Sequence, residues 1–182
     1  MRLLGNARRT LPALILLVLA GGLAACSDDP ATQPKRSGAD DPVPRVVQDA
    51  DAALDGVLHR IADELGLTWA TGNRFYNLCG ESYAPGGVVM DTLFRFDSSD
   101  VLTLEQGIEK IRALLEEDGW TVKKPVANPD SVILRATKGV LDLHLELAGG
   151  LLQGHLGSDC IETSDDVARE WADKPDAELD WS

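Results

Sequence analysis

Cationic and aromatic side chains are scarce in this sequence, and their scarcity excludes several classes of function. Lysine and arginine number 17 against 30 aspartates and glutamates, so the formal net charge of the 182-residue chain is −13. An acidic surface repels a phosphate backbone, and we therefore expect no nucleic-acid partner. Aromatic residues make up 5% of the chain, too few for a platform on which sugars stack. The chain also has no glycine-rich phosphate loop and no nucleotide-binding fingerprint.

No apolar run is long enough to cross a bilayer as a helix, which takes about 20 residues. The main run covers residues 11–20, and it follows a segment with three arginines (Arg2, Arg8 and Arg9) and no acidic residue. A basic start, a short apolar run and small residues before a cleavage site are typical of an export signal. We therefore predict a signal peptide over residues 1–25. Arg8-Arg9 also forms part of a twin-arginine pattern, and both the twin-arginine and the general secretory route stay open.

A four-residue motif after the apolar run is more specific. Leu23-Ala24-Ala25-Cys26 resembles the lipobox of bacterial lipoproteins, in which the cysteine sulfur receives a diacylglyceryl group. The resemblance implies that Cys26 becomes the lipid-bearing N-terminus of the mature protein. Each buried methylene of an acyl chain contributes about 0.8 kcal/mol, so several chains hold a protein firmly on a membrane. We expect a lipid-anchored protein on the extracytoplasmic face of the cell membrane.

Cysteine is rare, with three in the chain. With Cys26 used by the lipid, Cys79 and Cys160 remain, and an exported protein meets conditions in which disulfides form and persist. Two thiols allow one intramolecular pairing, so we predict a Cys79–Cys160 disulfide. Neither cysteine belongs to a Cys-x-x-Cys motif, the spacing typical of zinc and thiol redox sites. We expect no cofactor.

Composition and hydrophobic periodicity divide the mature chain into three parts. Residues 26–44 are rich in aspartate, proline, serine and alanine, which predicts a disordered tether. Residues 45–162 show helical and strand patterns, with one helix beginning near Val46 and another after Thr103. Their order predicts an α+β two-layer domain, in which two main helices cover one face of an antiparallel sheet of about six strands. Residues 163–182 form an acidic tail in which a short helix fits.

Two predicted hairpins set the register of the last strands. Leucines alternate with polar residues along one of these strands: Leu141, Leu143, Leu145 and Leu147. A two-residue turn at Lys138-Gly139 places Leu134 opposite Leu143. A second turn, at Gly149-Gly150, places His144 opposite His155. Both turns put the leucines on one face of the sheet, which is the consistency that a regular sheet requires.

The polar face of these strands carries the candidate ligand site. His144 and His155 face each other there, and Asp142 and Glu146 flank His144 along its strand. Paired imidazoles with a carboxylate suit zinc, nickel or copper, so these four residues are the candidate ligands if the chain binds a metal. The alternative is a solvent-facing pair of histidines on neighbouring strands with no binding role.

No residues of the chain point to catalysis. Gly80-Glu81-Ser82-Tyr83-Ala84 resembles the nucleophile segment of serine carboxypeptidases, in which a helix follows the serine. Here Pro85-Gly86-Gly87 follows and prevents that helix, so its backbone N–H groups cannot form an oxyanion hole beside Ser82. We expect a protein that is not an enzyme.

The whole layout resembles small cell-envelope lipoproteins of actinobacteria: a lipobox, a polar tether and one small domain closed by a disulfide. The likeness is specific at residues 23–26 and architectural elsewhere. It implies a non-catalytic protein, held on the membrane by its lipid, that presents its domain to an envelope protein or ligand. The alternative is a lipoprotein that binds a metal ion or small ligand on the sheet face of His144 and His155.

Overall fold

The computed structural model describes residues 41–81, 83–98 and 103–181. The helices are α1 (Val43–Ala53), α2 (His59–Leu65), α3 (Leu104–Glu117) and α4 (Asp165–Ala172), and a π-helical turn, Leu54–Leu58, joins α1 to α2. The strands are β1 (Leu67–Glu81), β2 (Ala84–Ser98), β3 (Thr121–Val122), β4 (Val126–Ala127), β5 (Ser131–Lys138), β6 (Leu141–Ala148), β7 (Leu151–Ser158), β8 (Ile161–Glu162) and β9 (Ala177–Glu178). The predicted signal peptide, Cys26 and most of the predicted tether lie outside the described residues. Within those residues, no helix is long and apolar enough to cross a membrane.

Local signals set the two ends of the first helical stretch. Asp41 Oδ1 accepts a hydrogen bond from the Val43 backbone N–H at 3.0 Å, and Pro44 lies in the first turn of the helix, where a backbone N–H has no partner within the helix. The buried positions of α1 recur at three- and four-residue steps: Val43, Val46, Ala50 and Ala53. Gly66, with φ +62°, ends α2 in the left-handed conformation that favours glycine. Helix α1 therefore begins inside the segment 26–44 that was predicted as tether.

All strand pairs are antiparallel, as predicted, but the sheet is larger than about six strands. The nine strands in the described ranges follow the order β3-β5-β6-β7-β2-β1-β9, with β4 beside β5 and β8 beside β2. Four of them, β3, β4, β8 and β9, are two residues long. Strands β4, β8 and β9 were not predicted, because a two-residue strand carries no period-two hydrophobic pattern.

The hairpin of β6 and β7 has the predicted register. The two strands meet at Gly149-Gly150, and Gly150 has φ +87°, a conformation that favours glycine. His144 lies opposite His155. The buried leucines of both strands lie on the same face of the sheet: Leu141, Leu143, Leu145, Leu147, Leu152 and Leu156. This register brings the two histidines of the predicted site together on the other face.

The predicted turn between β5 and β6 is wrong. The strands turn at Gly139-Val140 instead of Lys138-Gly139, so Leu134 faces Leu145 rather than Leu143. The reason is that Gly139, with φ +60°, takes the first turn position, and the residue before it stays in the strand. The register moves by two residues, which leaves every side chain on its predicted face.

One face of the sheet, here named the leucine face, is fully buried. It is formed by Leu134, Leu143, Leu145, Leu147, Leu152 and Leu156. The ring of Phe94 lies directly over Gly154 on this face, where a Cβ atom would come within 2.3 Å of it. Gly107 of α3 lies just as closely over Leu147, since a Cβ there would come within 2.6 Å of Leu147 Cδ2. A Cβ atom at either glycine would force a neighbouring side chain to shift, so glycine allows Phe94 to lie close to β7 within the sheet and α3 to lie close to β6.

The helices of the described residues pack on this same face. Arg74 of β1 is buried there and donates through Nη2 to Asp51 Oδ1 of α1 at 2.7 Å and through Nε to Thr92 Oγ1 at 3.1 Å. Tyr76 of β1 meets Trp171 of α4 with ring centroids 4.9 Å apart. Burial raises the pKa of the Tyr76 phenol, because desolvation penalises its charged form. The helical layer therefore includes α4 as well as the two predicted helices.

The C-terminal segment completes the helical layer. Trp181 stacks on Trp69 of β1 at 4.7 Å between ring centroids, and on His59 of α2 at 3.8 Å. Trp171 Nε1 donates to Asp41 Oδ2 at 2.7 Å, which ties α4 to the start of α1. The folded region therefore extends to Trp181, beyond the predicted boundary at residue 162. The short helix expected in the tail is α4.

Cys79 and Cys160 form the predicted disulfide, with 6.0 Å between their Cα atoms. Cys79 lies near the end of β1, and Cys160 directly precedes β8. Beside the bond, Gly87 of β2 lies so close to β8 that a Cβ atom would come within 2.3 Å of the Ile161 carbonyl oxygen. The bond therefore holds the far end of the β1–β2 hairpin against β8.

Replacing both Cys79 and Cys160 with alanine should lower the free energy of unfolding by about 4 to 5 kcal/mol, the chain-entropy value for two cysteines 81 positions apart. Equilibrium urea unfolding of the exported protein measures this loss. Wild-type protein kept in reductant should lose the same amount, which serves as the control. A loss below about 1 kcal/mol would contradict a stabilising role for the bond.

Candidate functional site

The opposite side of the sheet, here named the open face, carries a groove of ≈ 340 Å³ across β1, β2, β6 and β7. Gly72, Phe94 and Gly154 are among the residues that line it. The side chains that line it are Thr71, Asn73, Leu93, Arg95, His144, Glu146, Gln153 and His155. Three of the four predicted metal ligands are among them. The fourth, Asp142, is exposed on β6 outside the groove lining.

A carboxylate orients His155. Its Nε2 lies 2.6 Å from Asp91 Oδ1, and Asp91 Oδ2 accepts a hydrogen bond from Asn77 Nδ2 at 2.9 Å. A carboxylate oxygen accepts hydrogen bonds, so the Nε2–H of His155 is the donor of this contact. Gly157 makes room for this arrangement, since a Cβ atom there would come within 3.0 Å of His155 Cε1. The imidazole is therefore fixed against β2.

The predicted metal ligands are not gathered around one point. His144 lies opposite His155 in the register, but the His155 ring turns toward β2. Glu146 instead accepts a hydrogen bond from Gln153 Nε2 at 2.7 Å. Among the described residues, no group of three or more His, Cys, Asp or Glu side chains is placed to hold a metal ion. The histidine pairing is confirmed, and metal binding by His144, His155, Asp142 and Glu146 stays a prediction.

Charge in the groove is locally balanced. Arg95 donates through Nε and Nη2 to Asp97 Oδ1, both at 2.8 Å. The hydrogen bond from Gln153 is the largest cause that holds the pKa of the Glu146 carboxyl below its ordinary value, so this carboxyl is ionised at neutral pH. Leu93, on the same face of β2 as Arg95, is 43% exposed. The groove thus offers an apolar side chain surrounded by hydrogen-bonding groups.

One carboxylate–histidine pair at the groove resembles two members of a catalytic triad. His155 corresponds to the base of such a triad and Asp91 to the carboxylate that orients it. The groove lining includes no serine or cysteine as a nucleophile. Thr71 supplies the one hydroxyl among the lining side chains, and it lies opposite Arg95 rather than beside His155. Ser82, whose segment resembles a hydrolase motif, lies outside the described residues.

Of the groove side chains, only His144, Glu146 and His155 were predicted as site residues; Asp91 and Leu93, both on β2, are among those that were not. Alternation along β2 places both on one face with Arg95, and that signal is present in the sequence. The missing information is which strand lies beside β2. Its neighbour is β7, which places Leu93 opposite His155, and no local pattern identifies two strands so far apart in sequence as neighbours.

Comparison with known proteins gives a distant likeness in fold. No protein-family model matches the chain, and no curated protein matches it. Among solved structures, it is similar to a DUF4853 family protein from Actinomyces odontolyticus, with 13% sequence identity and a TM-score of 0.47. The similarity covers 71% of this chain and 72% of that chain. At this level of similarity no functional residue is transferred.

Gln153→Ala should raise the pKa of Glu146 toward its ordinary value, because the variant removes the amide that favours the ionised carboxylate. A lowered pKa in the folded state stabilises the protein above the unfolded-state pKa, and this stability is lost as pH falls through the folded-state pKa. The variant removes the part of that contribution that the Gln153 hydrogen bond supplies. Carbon-13 NMR of the carboxyl groups during an acid titration measures the pKa.

Glu64 is the internal control for this titration, because Lys110 lowers its pKa through an exposed ion pair that Gln153 does not touch. High salt screens an exposed ion pair and should therefore raise the pKa of Glu64. The pKa of Glu146 is lowered mainly by the uncharged amide of Gln153, so it should change less. Equal responses of the two carboxyls to salt, or no change at Glu146 in the variant, would contradict the assignment.

Proposed function

We propose that this protein is a lipid-anchored, non-catalytic binding protein of the bacterial cell envelope that holds a small ligand on the open face of its sheet. The observation that carries the proposal is the groove of ≈ 340 Å³ on that face. Small-molecule sites are concave, about 300 to 1,000 Å³ in volume, and combine apolar surface with a few placed polar groups. The groove fits this description at the lower end of the range.

The placement of the groove supports this proposal. Its walls come from four neighbouring strands of one sheet rather than from loops, so its side chains start from a rigid backbone. Asp91 fixes the ring of His155, and Gln153 fixes the carboxylate of Glu146. A ligand that meets oriented groups loses less conformational entropy on binding. Two of the side chains that line the groove, His155 and Glu146, are therefore oriented before a ligand binds.

The groups in the groove indicate the chemistry of the ligand. Leu93 suits an apolar centre, while Asn73 and His144 suit hydrogen-bonding groups at its margins. Arg95 already pairs with Asp97, so it adds little attraction for an anionic ligand. We infer a small ligand with an apolar part and uncharged polar groups, rather than a highly charged one.

The lipobox supports the anchoring part of the proposal. Leu23-Ala24-Ala25-Cys26 stands after a basic and apolar segment, and the composition of residues 27–40 suits a spacer between the lipid and the domain. The Cys79–Cys160 disulfide agrees with an oxidising compartment. Both features are consistent with a domain displayed outside the cytoplasm.

Cys26→Ala should abolish lipid attachment and leave the signal peptide uncleaved, because the lipobox reaction needs the cysteine sulfur. Metabolic labelling of the source cells with a tagged fatty acid, followed by purification, measures the attachment. Cys160→Ala is the matched control, since it removes a different cysteine and should keep the label. Label on the Cys26→Ala protein would overturn the lipid-anchor proposal.

Leu93→Arg should lower ligand occupancy at least tenfold, because it places a charged chain in the apolar part of the groove. Native mass spectrometry of the full chain, extracted in detergent from its source membranes, measures bound small molecules. Val140→Arg is the matched control, since Val140 is 44% exposed against 43% for Leu93 but lies in a turn outside the groove. Equal occupancy in both variants, or wild-type protein without a bound molecule, would contradict the groove as the binding site.

A further inference from the structure

The outer edge of β1 is a second surface with the features of a binding site. On one side β1 pairs with β2 from Leu67 to Glu81. On the other side β9 pairs with Asn73 and Arg74, and no other strand of the described chain pairs with that edge. We name residues 75–81 of β1 the open edge. It is independent of the groove, which lies on the face of the sheet.

The register shows which backbone groups point outward at the open edge. The Leu179 backbone N–H donates to the Gly72 carbonyl oxygen at 3.0 Å, so the backbone groups of Gly72 point toward β9. Alternate residues of a strand point the same way, and the outward set therefore continues through Arg74, Tyr76 and Leu78. The N–H and C=O groups of Tyr76 and Leu78 lie along the open edge, in line with β9.

Residues 75–79 of the open edge lack the devices that usually prevent strand addition, whereas its last two residues carry a β-bulge at Gly80 and the charge of Glu81. Natural edge strands are blunted by lysine, proline or inward-pointing charges. Here the sequence from 75 to 79 is Phe-Tyr-Asn-Leu-Cys, with no charge and no proline. Leu78 is 43% exposed, and Tyr83 at the hairpin tip is 82% exposed. The Cys79–Cys160 bond holds the end of this segment in place, so the edge is preformed.

Acidic groups stand at both ends of the open edge. Glu81 ends β1, and the segment 173–180 that approaches the other end contains four acids: Asp173, Asp176, Glu178 and Asp180. Lys174 is the one cation of that segment, and its Nζ lies 3.0 Å from the centre of the Trp171 ring. A second copy of this chain, with formal net charge −13, would bring the same acids to the edge and be repelled. Charge complementarity therefore favours a basic occupant.

We propose that the open edge binds an extended segment of a partner protein as an added β-strand, and that this segment alternates apolar and basic residues. Main-chain hydrogen bonds to Tyr76 and Leu78 supply the pairing, as in other cases of strand addition. The basic side chains meet the acids at the two ends of the edge. The proposal does not depend on the ligand in the groove or on the lipid anchor.

The probe is a synthetic peptide of about nine residues that alternates valine with lysine, long enough to span the open edge. Fluorescence anisotropy with the full chain measures its affinity. A peptide with glutamate in place of each lysine should bind at least tenfold more weakly, and added salt should weaken the lysine peptide. Amide hydrogen exchange should show that the lysine peptide protects Tyr76 and Leu78.

Leu78→Pro is the test variant, because it removes an outward N–H and proline is tolerated on the solvent side of an edge strand. It should lower the affinity for the lysine peptide at least tenfold. Leu78→Thr, which keeps the N–H, is the matched control and should retain most of the affinity. A second test leaves the protein unchanged. It uses a lysine peptide in which every second backbone amide is N-methylated, so that the amides along one edge of the extended peptide cannot donate.

Several results would overturn the proposal. They are equal binding of the N-methylated and unmodified peptides, unchanged affinity in a folded Leu78→Pro protein, and protection of amides elsewhere than at Tyr76 and Leu78. Protection of those two amides in the free chain would show that the chain itself covers the edge. Dimers in sedimentation velocity that Leu78→Pro dissociates would assign the edge to a second copy instead.

Discussion

The structure depends on the burial of one face of a sheet whose strands alternate between leucine and polar residues. Six leucines of β5, β6 and β7 are fully buried on that face, and each contributes roughly 1.5 to 3 kcal/mol when removed from water. The helices supply the covering layer, and they pack on the leucine face alone. The same alternation that creates the core places polar side chains on the other face. The open face and its groove are therefore a consequence of how the core is built, and the candidate site needs no separate structural device.

The helical layer closes through contacts between the two ends of the described chain. Asp41, before α1, accepts hydrogen bonds from the Val43 backbone and from the indole of Trp171. Trp181 lies between His59 and Trp69 in a stack of three rings. These contacts bring the last residues of the chain against β1, where β9 covers two residues of its outer edge and stops. The docking of the C-terminal segment thus determines how much of that edge stays available to a partner strand.

Features that depend on near neighbours in the chain could be predicted from the sequence, and features that depend on distant strands could not. The alternation of β6, the turn at Gly149-Gly150 and the pairing of His144 with His155 are local. The turn between β5 and β6 was predicted one residue too early, because either Lys138-Gly139 or Gly139-Val140 leaves the leucines on one face. The disulfide followed from the number of cysteines and the expected compartment. No local pattern in the sequence indicates that β2 pairs with β7. The contact of Asp91 with His155 depends on this pairing, so it was not predicted.

Strand β7 shows how closely the core and the candidate site are linked. Its sequence from 151 to 158, Leu-Leu-Gln-Gly-His-Leu-Gly-Ser, places one glycine on each face of the sheet. Gly154 admits the ring of Phe94 on the leucine face, and Gly157 admits the ring of His155 on the open face. Both glycines lie opposite β2, at Phe94 and Asp91. The same strand pair thus sets the packing of the core on one side and the orientation of His155 by Asp91 on the other, so a change in the β2–β7 register would alter both at once.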